Sequence, residues 1–169
     1  MTDFMIYIIL PLIISNIVHI VMVKKNLLTD LAVPISVSLF GQNKTWRGFA
    51  IVPLLNACIL LAINFIFPYF ELKEAFTIGF LMGVAYMFSE LPNSFIKRRL
   101  GIVSGGKAEK HGILFMLLDK TDSSFGVSLL SYFLLNLNVL QTLQLFFISI
   151  GTHIFFSWLL VFIKIKKRF

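Results

Sequence analysis

Cysteine is almost absent from this 169-residue chain, and charged side chains are scarce. Cys58 is the single cysteine, so neither a disulfide framework nor a cysteine-based zinc site can form within the chain. Charged residues make up 14% of the sequence, whereas hydrophobic residues make up 58%. A water-soluble fold of this length could not bury so much apolar surface. The composition therefore predicts an all-α, polytopic integral membrane protein.

Five apolar stretches are each close to the ~20 residues that a transmembrane helix needs. They cover residues 4–23, 49–67, 75–91, 112–135 and 139–163. The apolar stretch 31–40 is too short to span and contains Pro34, so we expect it to be a re-entrant or interfacial segment. The pattern predicts a single transmembrane domain over residues 1–169, embedded in the lipid bilayer of the cytoplasmic membrane as a multi-pass protein.

The basic residues fall mainly on one side of this arrangement. The predicted loops 24–48 and 97–111, together with the tail after residue 163, hold 13 of the 15 lysines and arginines. The opposite loops contain one basic residue, Lys73. By the positive-inside rule, the N-terminus lies outside and the C-terminus lies in the cytoplasm. Because the net charge of +7 is explained by topology, we expect no nucleic-acid partner.

Two aspartates interrupt the fourth predicted span, in the sequence LLDKTDSSFG. Asp119, Asp122 and Gly126 are spaced so that they share one helix face. Two close carboxylates in a low-dielectric site cannot both ionise without a compensating cation. Oxygen ligands without a convergent histidine or cysteine favour Mg²⁺, whose shell is usually completed by phosphate and water. The alternative interpretation is a structural pair that is neutralised by Lys120 or Lys44.

Polar and basic residues end the third predicted span, in the sequence SELPNSFIKRRLGI. Pro92 removes a backbone donor, so we expect the helix to kink or break there and to leave Glu90 as a candidate third metal ligand. The cations that follow can hold a triphosphate, although basic residues beside a span can also act only as topology signals. The candidate substrate-binding residues of this stretch are Asn93, Ser94, Lys97, Arg98 and Arg99.

Two glycine-containing segments are further candidates for phosphate binding. In GQNKTWRG, residues 41–48, the glycines allow close approach of the backbone to an anion. Lys44 and Arg47 supply charge at the level of a lipid phosphate, and Thr45 lies between them as a third candidate. The order of glycine, lysine and threonine excludes a Walker A loop. The later stretch GIVSGGKAEKHG, residues 101–112, predicts either a mobile phosphate-contacting loop or a solvated surface loop.

Taken together, these segments resemble the CDP-archaeol synthase family, a branch of the integral-membrane CTP-transferases that also includes the phosphatidate cytidylyltransferases. GQNKTWRG, SELPNSFIKRRLGI and LLDKTDSSFG occur in the family's order. The resemblance implies an Mg²⁺-dependent nucleotidyltransferase of phospholipid biosynthesis that moves CMP from CTP to a membrane lipid phosphate, giving a CDP-lipid and pyrophosphate. It implies catalytic roles for Asp119, Asp122, Lys97 and Arg98, and metal binding by Asp119, Asp122 and Glu90.

Two other functional classes are compatible with the residues. A small transporter or channel subunit would use the two aspartates as proton or coupling-ion sites. Against that class, the sequence has no inverted repeat, and its polar residues gather on one side of the predicted membrane. A non-catalytic scaffold of lipid synthesis would use the acids for structure alone. Binding of CTP with Mg²⁺ would separate the enzyme from both, and the lipid tails remain open between ether-linked isoprenoid and ester-linked acyl chains.

Overall fold

The described part of the chain is helical. The computed structural model describes residues 3–106 and 112–164. Its elements are α1 (Asp3–Lys24), a 3-10 helix (Thr29–Leu31), α2 (Val37–Phe40), α3 (Trp46–Ile66), α4 (Leu72–Arg99), α5 (Gly112–Leu134) and α6 (Val139–Phe162). These described residues contain no strand, and one isolated bridge joins Pro34 to Thr45. The all-α prediction is confirmed.

Several of the helices can cross a membrane. Within the described residues, the helices α1, α3, α4 and α6 are both long and apolar enough to span, with windows at Met5–Lys24, Trp46–Ile66, Leu72–Arg99 and Val139–Phe162. The chain is therefore a multi-pass membrane protein. α5 is 23 residues long, which is sufficient length, but it carries three charged side chains, Asp119, Lys120 and Asp122. Its role as a fifth span stays a prediction, as does the orientation with the N-terminus outside.

The third predicted span ends later than expected. α4 continues through Pro92 as one helix and ends at Arg99, so a break at Pro92 is wrong, while a kink there stays a prediction. Proline is tolerated inside a membrane helix when neighbouring groups hold the helix and satisfy the released backbone. Residues 97–99, which were expected in a loop, form the last turn of α4. The bounds of the other predicted spans agree with the helices to within a few residues.

Small residues bring α4 very close to its neighbours. A Cβ atom added at Gly79 would lie 2.7 Å from the Cα atom of Ala57, and one added at Gly83 would lie 2.5 Å from the Cα atom of Pro53. On another side of α4, Gly126 of α5 packs against Ser89 with no room for a side chain. Membrane helices pack tightly in this way because small residues let the backbones approach. α4 is thus held firmly between α3 and α5.

The segment between α1 and α3 is folded back on itself without a long helix. The amide of Ile35 donates to the carbonyl of Lys44 at 2.9 Å, and the amide of Trp46 donates to the carbonyl of Val33 at 3.0 Å. The side chain of Ser36 caps the first turn of α2, and α2 packs against α4. These broken elements agree with a segment that is too short to span the membrane. They deliver residues 41–47 to the C-terminal end of α4.

Candidate active site

One face of the last turns of α4 meets the acidic face of α5. Glu90, Asn93 and Lys97 lie on that face of α4 because they are spaced three, four and seven residues apart. The Nδ2 atom of Asn93 donates to Oδ1 of Asp119 at 2.7 Å and to Oδ2 of Asp122 at 3.0 Å. Asp119, Asp122 and the Gly126 contact therefore share one face of α5, which confirms the prediction made from their spacing.

Two lysines are paired with carboxylates in this region. The Nζ atom of Lys97 lies 2.5 Å from both carboxylate oxygens of Asp119. Lys44 donates to the Oε2 atom of Glu90, and this ion pair ties the segment before α3 to α4. Each of these carboxylates is therefore neutralised by a cation from another element of the chain. The cation beside Asp119 is Lys97, a partner that the sequence analysis did not assign to it.

Arg47 and Arg98 differ from the lysines, because neither of them forms an ion pair within the described residues. Arg47 is 7% exposed, and its Nη1 atom donates to the carbonyl of Leu27 at 2.9 Å. Arg98 donates through Nη1 to the Oγ atom of Ser104 at 3.2 Å. In both arginines the Nε atom is buried and has no hydrogen-bond partner in the described part of the chain. Buried donors ordinarily have partners, so both guanidinium groups retain donor capacity for an anion.

Three other candidate residues make local contacts. Thr45 precedes α3 as its N-cap residue without a side-chain cap bond, and the hydroxyl of Ser94 donates to a carbonyl one turn earlier. The guanidinium of Arg99 lies 4.9 Å from the ring centre of Phe95. The structure does not join these three side chains to the acidic pair, and their substrate roles stay predictions. Lys107, Lys110 and His111 of the predicted phosphate-contacting loop lie outside the described residues.

The opposite face of α5 carries a second polar group of residues. Lys120 is 5% exposed, and its Nζ atom donates to the Oγ atom of Ser157 on α6 at 2.6 Å. The Nδ1 atom of His153 lies 3.4 Å from the Lys120 carbonyl, and its Nε2 atom lies 3.3 Å from the hydroxyl of Tyr86. Tyr86, His153 and Ser157 border a cavity of about 50 Å³ between α1, α4, α5 and α6. Charge on this face is buried between helices.

The sequence of this chain matches one protein family over nearly its whole length. The sequence model of a family described as "CarS-like: CDP-archaeol synthase" matches residues 2–167. The chain belongs to the CDP-archaeol synthase family. Among its relatives, the CDP-archaeol synthase of Sulfolobus acidocaldarius is 29% identical over 128 residues, which cover 75% of this chain and 72% of that protein.

Two further relatives match over shorter stretches. The CDP-archaeol synthase of Pyrococcus furiosus is 38% identical over 68 residues, which cover 40% of this chain and 41% of that protein. The CDP-archaeol synthase of Staphylothermus marinus is 32% identical over 96 residues, which cover 57% of this chain and 49% of that protein. In both cases the match spans less than half of the relative's own length. No solved structure matches the chain significantly.

Two contacts of this member of the CDP-archaeol synthase family were missed at the level of sequence. Asn93 was identified only as a substrate-binding candidate, but it bridges Asp119 and Asp122. Lys97 was expected in a loop, but it lies one turn beyond Asn93 on the same helix face. The spacing of Glu90, Asn93 and Lys97 is a helical signal that places the three on one face of α4, but it does not identify the carboxylates that they contact. The expected break at Pro92 concealed that signal.

The donor atoms around the acidic pair fit a hard divalent cation of the kind that this family resemblance implies. They are oxygens of Asp119 and Asp122 and the Oδ1 atom of Asn93, which is buried without a hydrogen-bond partner among the described residues. The described chain contains no group of three histidine, cysteine, aspartate or glutamate side chains arranged to hold a metal ion. Glu90 is bound by Lys44, and its role as a third ligand stays a prediction. Mg²⁺ commonly binds to one or two carboxylates together with substrate phosphates; since Lys97 contacts both oxygens of Asp119, a cation would have to take its place at that carboxylate.

Proposed function

We propose that this protein transfers CMP from CTP to the phosphate of a membrane lipid, giving a CDP-activated lipid and pyrophosphate. The observation that carries the proposal is that the arginines of the site keep unused hydrogen-bond donors, whereas its lysines are already paired. Arg47 and Arg98 each keep a buried Nε donor without a partner in the described chain, while lysines and Asn93 occupy nearby carboxylates. A site of this kind suits a ligand that carries several phosphate groups. Membership of the CDP-archaeol synthase family supports CTP and a lipid phosphate as the two substrates.

In the proposed reaction, an oxygen of the lipid phosphate attacks the α-phosphorus of CTP. The new P–O bond joins the two phosphates, and the bond between the α-phosphorus and the oxygen that bridges to the β-phosphate breaks. Pyrophosphate leaves with the electron pair of that bond. The lipid phosphate is already ionised near pH 7, so the reaction needs no general base. The protein therefore contributes mainly by positioning the substrates and neutralising charge.

We assign the two substrates to different parts of the site. Arg98 and Lys97, in the last turn of α4, would bind the nucleotide phosphates, whereas Arg99, whose guanidinium lies over the ring of Phe95, would add only long-range positive charge. Lys44 and Arg47 would bind the lipid phosphate, because they flank the start of α3, where the helix dipole favours an anion. Arg47 is the more specific of the two, since its planar guanidinium can make paired hydrogen bonds to a phosphate.

Asp119, Asp122 and the amide oxygen of Asn93 are the residues that would hold Mg²⁺, which when bound neutralises charge on the reacting phosphates. Asn93 has a separate task that its own contacts support. By donating to both aspartates, it keeps their carboxylates turned towards α4. Lys97, which lies on α4 like Asn93, also holds Asp119 in place. Its positive charge would add to the attraction for a bound nucleotide.

The proposal is tested by transfer of label from CTP to lipid. Purified protein in bilayers receives CTP labelled in the α-phosphate, together with Mg²⁺ and either phosphatidic acid or an archaeal ether-lipid phosphate. We expect labelled lipid and an equal amount of pyrophosphate with at least one of the two, and the better substrate identifies the tail chemistry. Folded protein that binds CTP but labels neither lipid would favour a scaffold. Absence of CTP binding would favour the transporter class.

A further inference from the structure

Two loops meet at the side chain of Arg98. The Oγ atom of Ser104 accepts a hydrogen bond from the backbone amide of Gln42 at 3.0 Å. The same oxygen accepts a hydrogen bond from the Nη1 atom of Arg98 at 3.2 Å. A hydroxyl oxygen has two acceptor lone pairs, so it can take both bonds at once. One side chain therefore joins the loop after α2, the end of α4 and the loop that follows α4.

The backbone at Gly41 is adapted to this junction. Gly41 is buried and has a φ of +84°, a conformation that side chains with a Cβ atom rarely adopt. A Cβ atom added here would overlap the Oγ atom of Ser104 and would lie 3.3 Å from the Nη1 atom of Arg98. The absence of a side chain at Gly41 is therefore what lets the 41–42 backbone approach Ser104.

We propose that Ser104 is a positioning residue for nucleotide binding, because its hydroxyl fixes the guanidinium of Arg98 against the 41–42 backbone. The proposal rests on the proposed function, in which Arg98 binds the phosphates of CTP. Ser104 engages the Nη1 end of the guanidinium, while the buried Nε atom has no partner within the described residues. A free arginine side chain loses considerable rotamer freedom when it binds a ligand. An arginine that is already held in place loses less, and the affinity for the ligand rises accordingly.

The first experiment compares variants at position 104. Ser104→Ala removes the hydroxyl, whereas Ser104→Thr keeps it. CTP binding with Mg²⁺ is measured by calorimetry in the absence of lipid. We expect Ser104→Ala to weaken CTP binding about tenfold, as for a lost hydrogen bond to a charged group, and Ser104→Thr to restore it to within about threefold of the wild type. The matched control is Ser38→Ala, which alters an exposed serine of α2 and should leave CTP affinity unchanged. Equal losses in the Ala and Thr variants would overturn the proposal.

A double-mutant cycle then tests whether Ser104 acts through Arg98. In an Arg98→Ala background, Ser104→Ala should change CTP affinity by less than about twofold, because contacting pairs are not additive. Fully additive losses would overturn the inference. If Arg98→Ala weakens CTP binding but Ser104→Ala does not, the inference fails and the proposed function stands. If the wild-type protein binds no CTP, both fail.

The lipid substrate and the unfolding temperature distinguish positioning from a general structural defect. Ser104→Ala should leave the KM for the lipid phosphate and the unfolding temperature in detergent close to those of the wild type. Gly41→Ala should reproduce the loss of CTP affinity by pushing Ser104 away. A Gly41→Ala variant with wild-type CTP affinity, or a Ser104→Ala variant that raises both KM values equally, would overturn the proposal.

Discussion

The two faces of α5 hold their charges in different ways. On the face towards α4, the side chain of Asp119 is 47% exposed and its partner Lys97 is 17% exposed. An ion pair with this much exposure contributes little to stability and exchanges partners readily. On the other face, Lys120 is 5% exposed and is bound to Ser157 of α6. Under the proposed function, the accessible Lys97–Asp119 pair lies where the ligand would bind, whereas Lys120 joins α5 to α6.

The broadest test of this comparison is the topology of the membrane domain, because CTP, the proposed substrate, is available only on the cytoplasmic side. A reporter fused after Phe169 should be cytoplasmic, and a reporter inserted near Glu71 should be outside. The expected effect is all or none, since 13 of 15 basic residues fall on one predicted side. Both reporters on the same side would contradict the five-span arrangement and would put the acidic face of α5 in question.

The acidic face should be the most sensitive to single substitutions. Asp122→Asn keeps the size of the side chain and its capacity to accept a bond from Asn93, but removes a charge. We expect turnover to fall by about 10²–10³-fold, the scale for losing one group that stabilises the transition state, with little recovery when Mg²⁺ is raised. CMP transfer is measured with labelled CTP. Insertion into the membrane and the unfolding temperature should remain normal.

Near-normal CMP transfer by Asp122→Asn would refute its catalytic assignment. It would return Asp119 and Asp122 to the structural interpretation, in which they serve only the contact between α4 and α5. In that case the two faces of α5 would differ in exposure but not in function.

The arginines of α4 allow a matched test with a smaller expected effect. Arg98→Ala should cost about 1.5–3 kcal/mol in kcat/KM for CTP, the scale of a lost hydrogen bond to a charged group. Arg99→Ala is the control, because Arg99 is an exposed neighbour of Phe95 and should cost less than 1 kcal/mol, roughly the scale of an exposed cation–π contact. Equal effects at both positions would mean that these residues act only through net charge near the membrane surface.

The sequence was sufficient for features that lie within one helix. Asp119 and Asp122 could be assigned to one face because a single α-helix fixes their relative direction. The sequence was not sufficient where packing between helices overrides a local conformational preference. Pro92 predicts a missing hydrogen bond, but it does not reveal that α4 is clamped by close contacts at Gly79 and Gly83 and stays helical.

Contacts between segments that are far apart along the chain also could not be predicted from the sequence. Lys44 and Glu90 are 46 residues apart, and no spacing rule joins residues of two different elements. The same holds for Ser104 and Gln42, which come from separate loops. The resemblance to the CDP-archaeol synthase family assigned Lys44 and Glu90 to one site, but the individual partners of all four residues depend on how the helices pack.

We expect the smallest kinetic effect from a substitution on the face of α5 that carries Lys120. Lys120→Met replaces a buried cation with an apolar side chain of similar length. Since Lys120 is bound to Ser157 on the side of α5 away from Asn93, we expect kcat/KM for CTP to stay within about threefold of the wild type, a change of less than 1 kcal/mol. The free energy of unfolding should fall by roughly 1–3 kcal/mol, because Ser157 loses a buried hydrogen-bond donor.

The double variant Lys120→Met/Ser157→Ala completes this test. Removing both polar partners together should recover much of the lost stability, since replacing a buried polar pair by apolar groups is often neutral. Thermal unfolding in detergent measures stability, and label transfer from CTP measures activity in the same samples. If the folded Lys120→Met variant lost CMP transfer as completely as Asp122→Asn, charge on both faces of α5 would serve the reaction, and the separation of the two faces would be wrong.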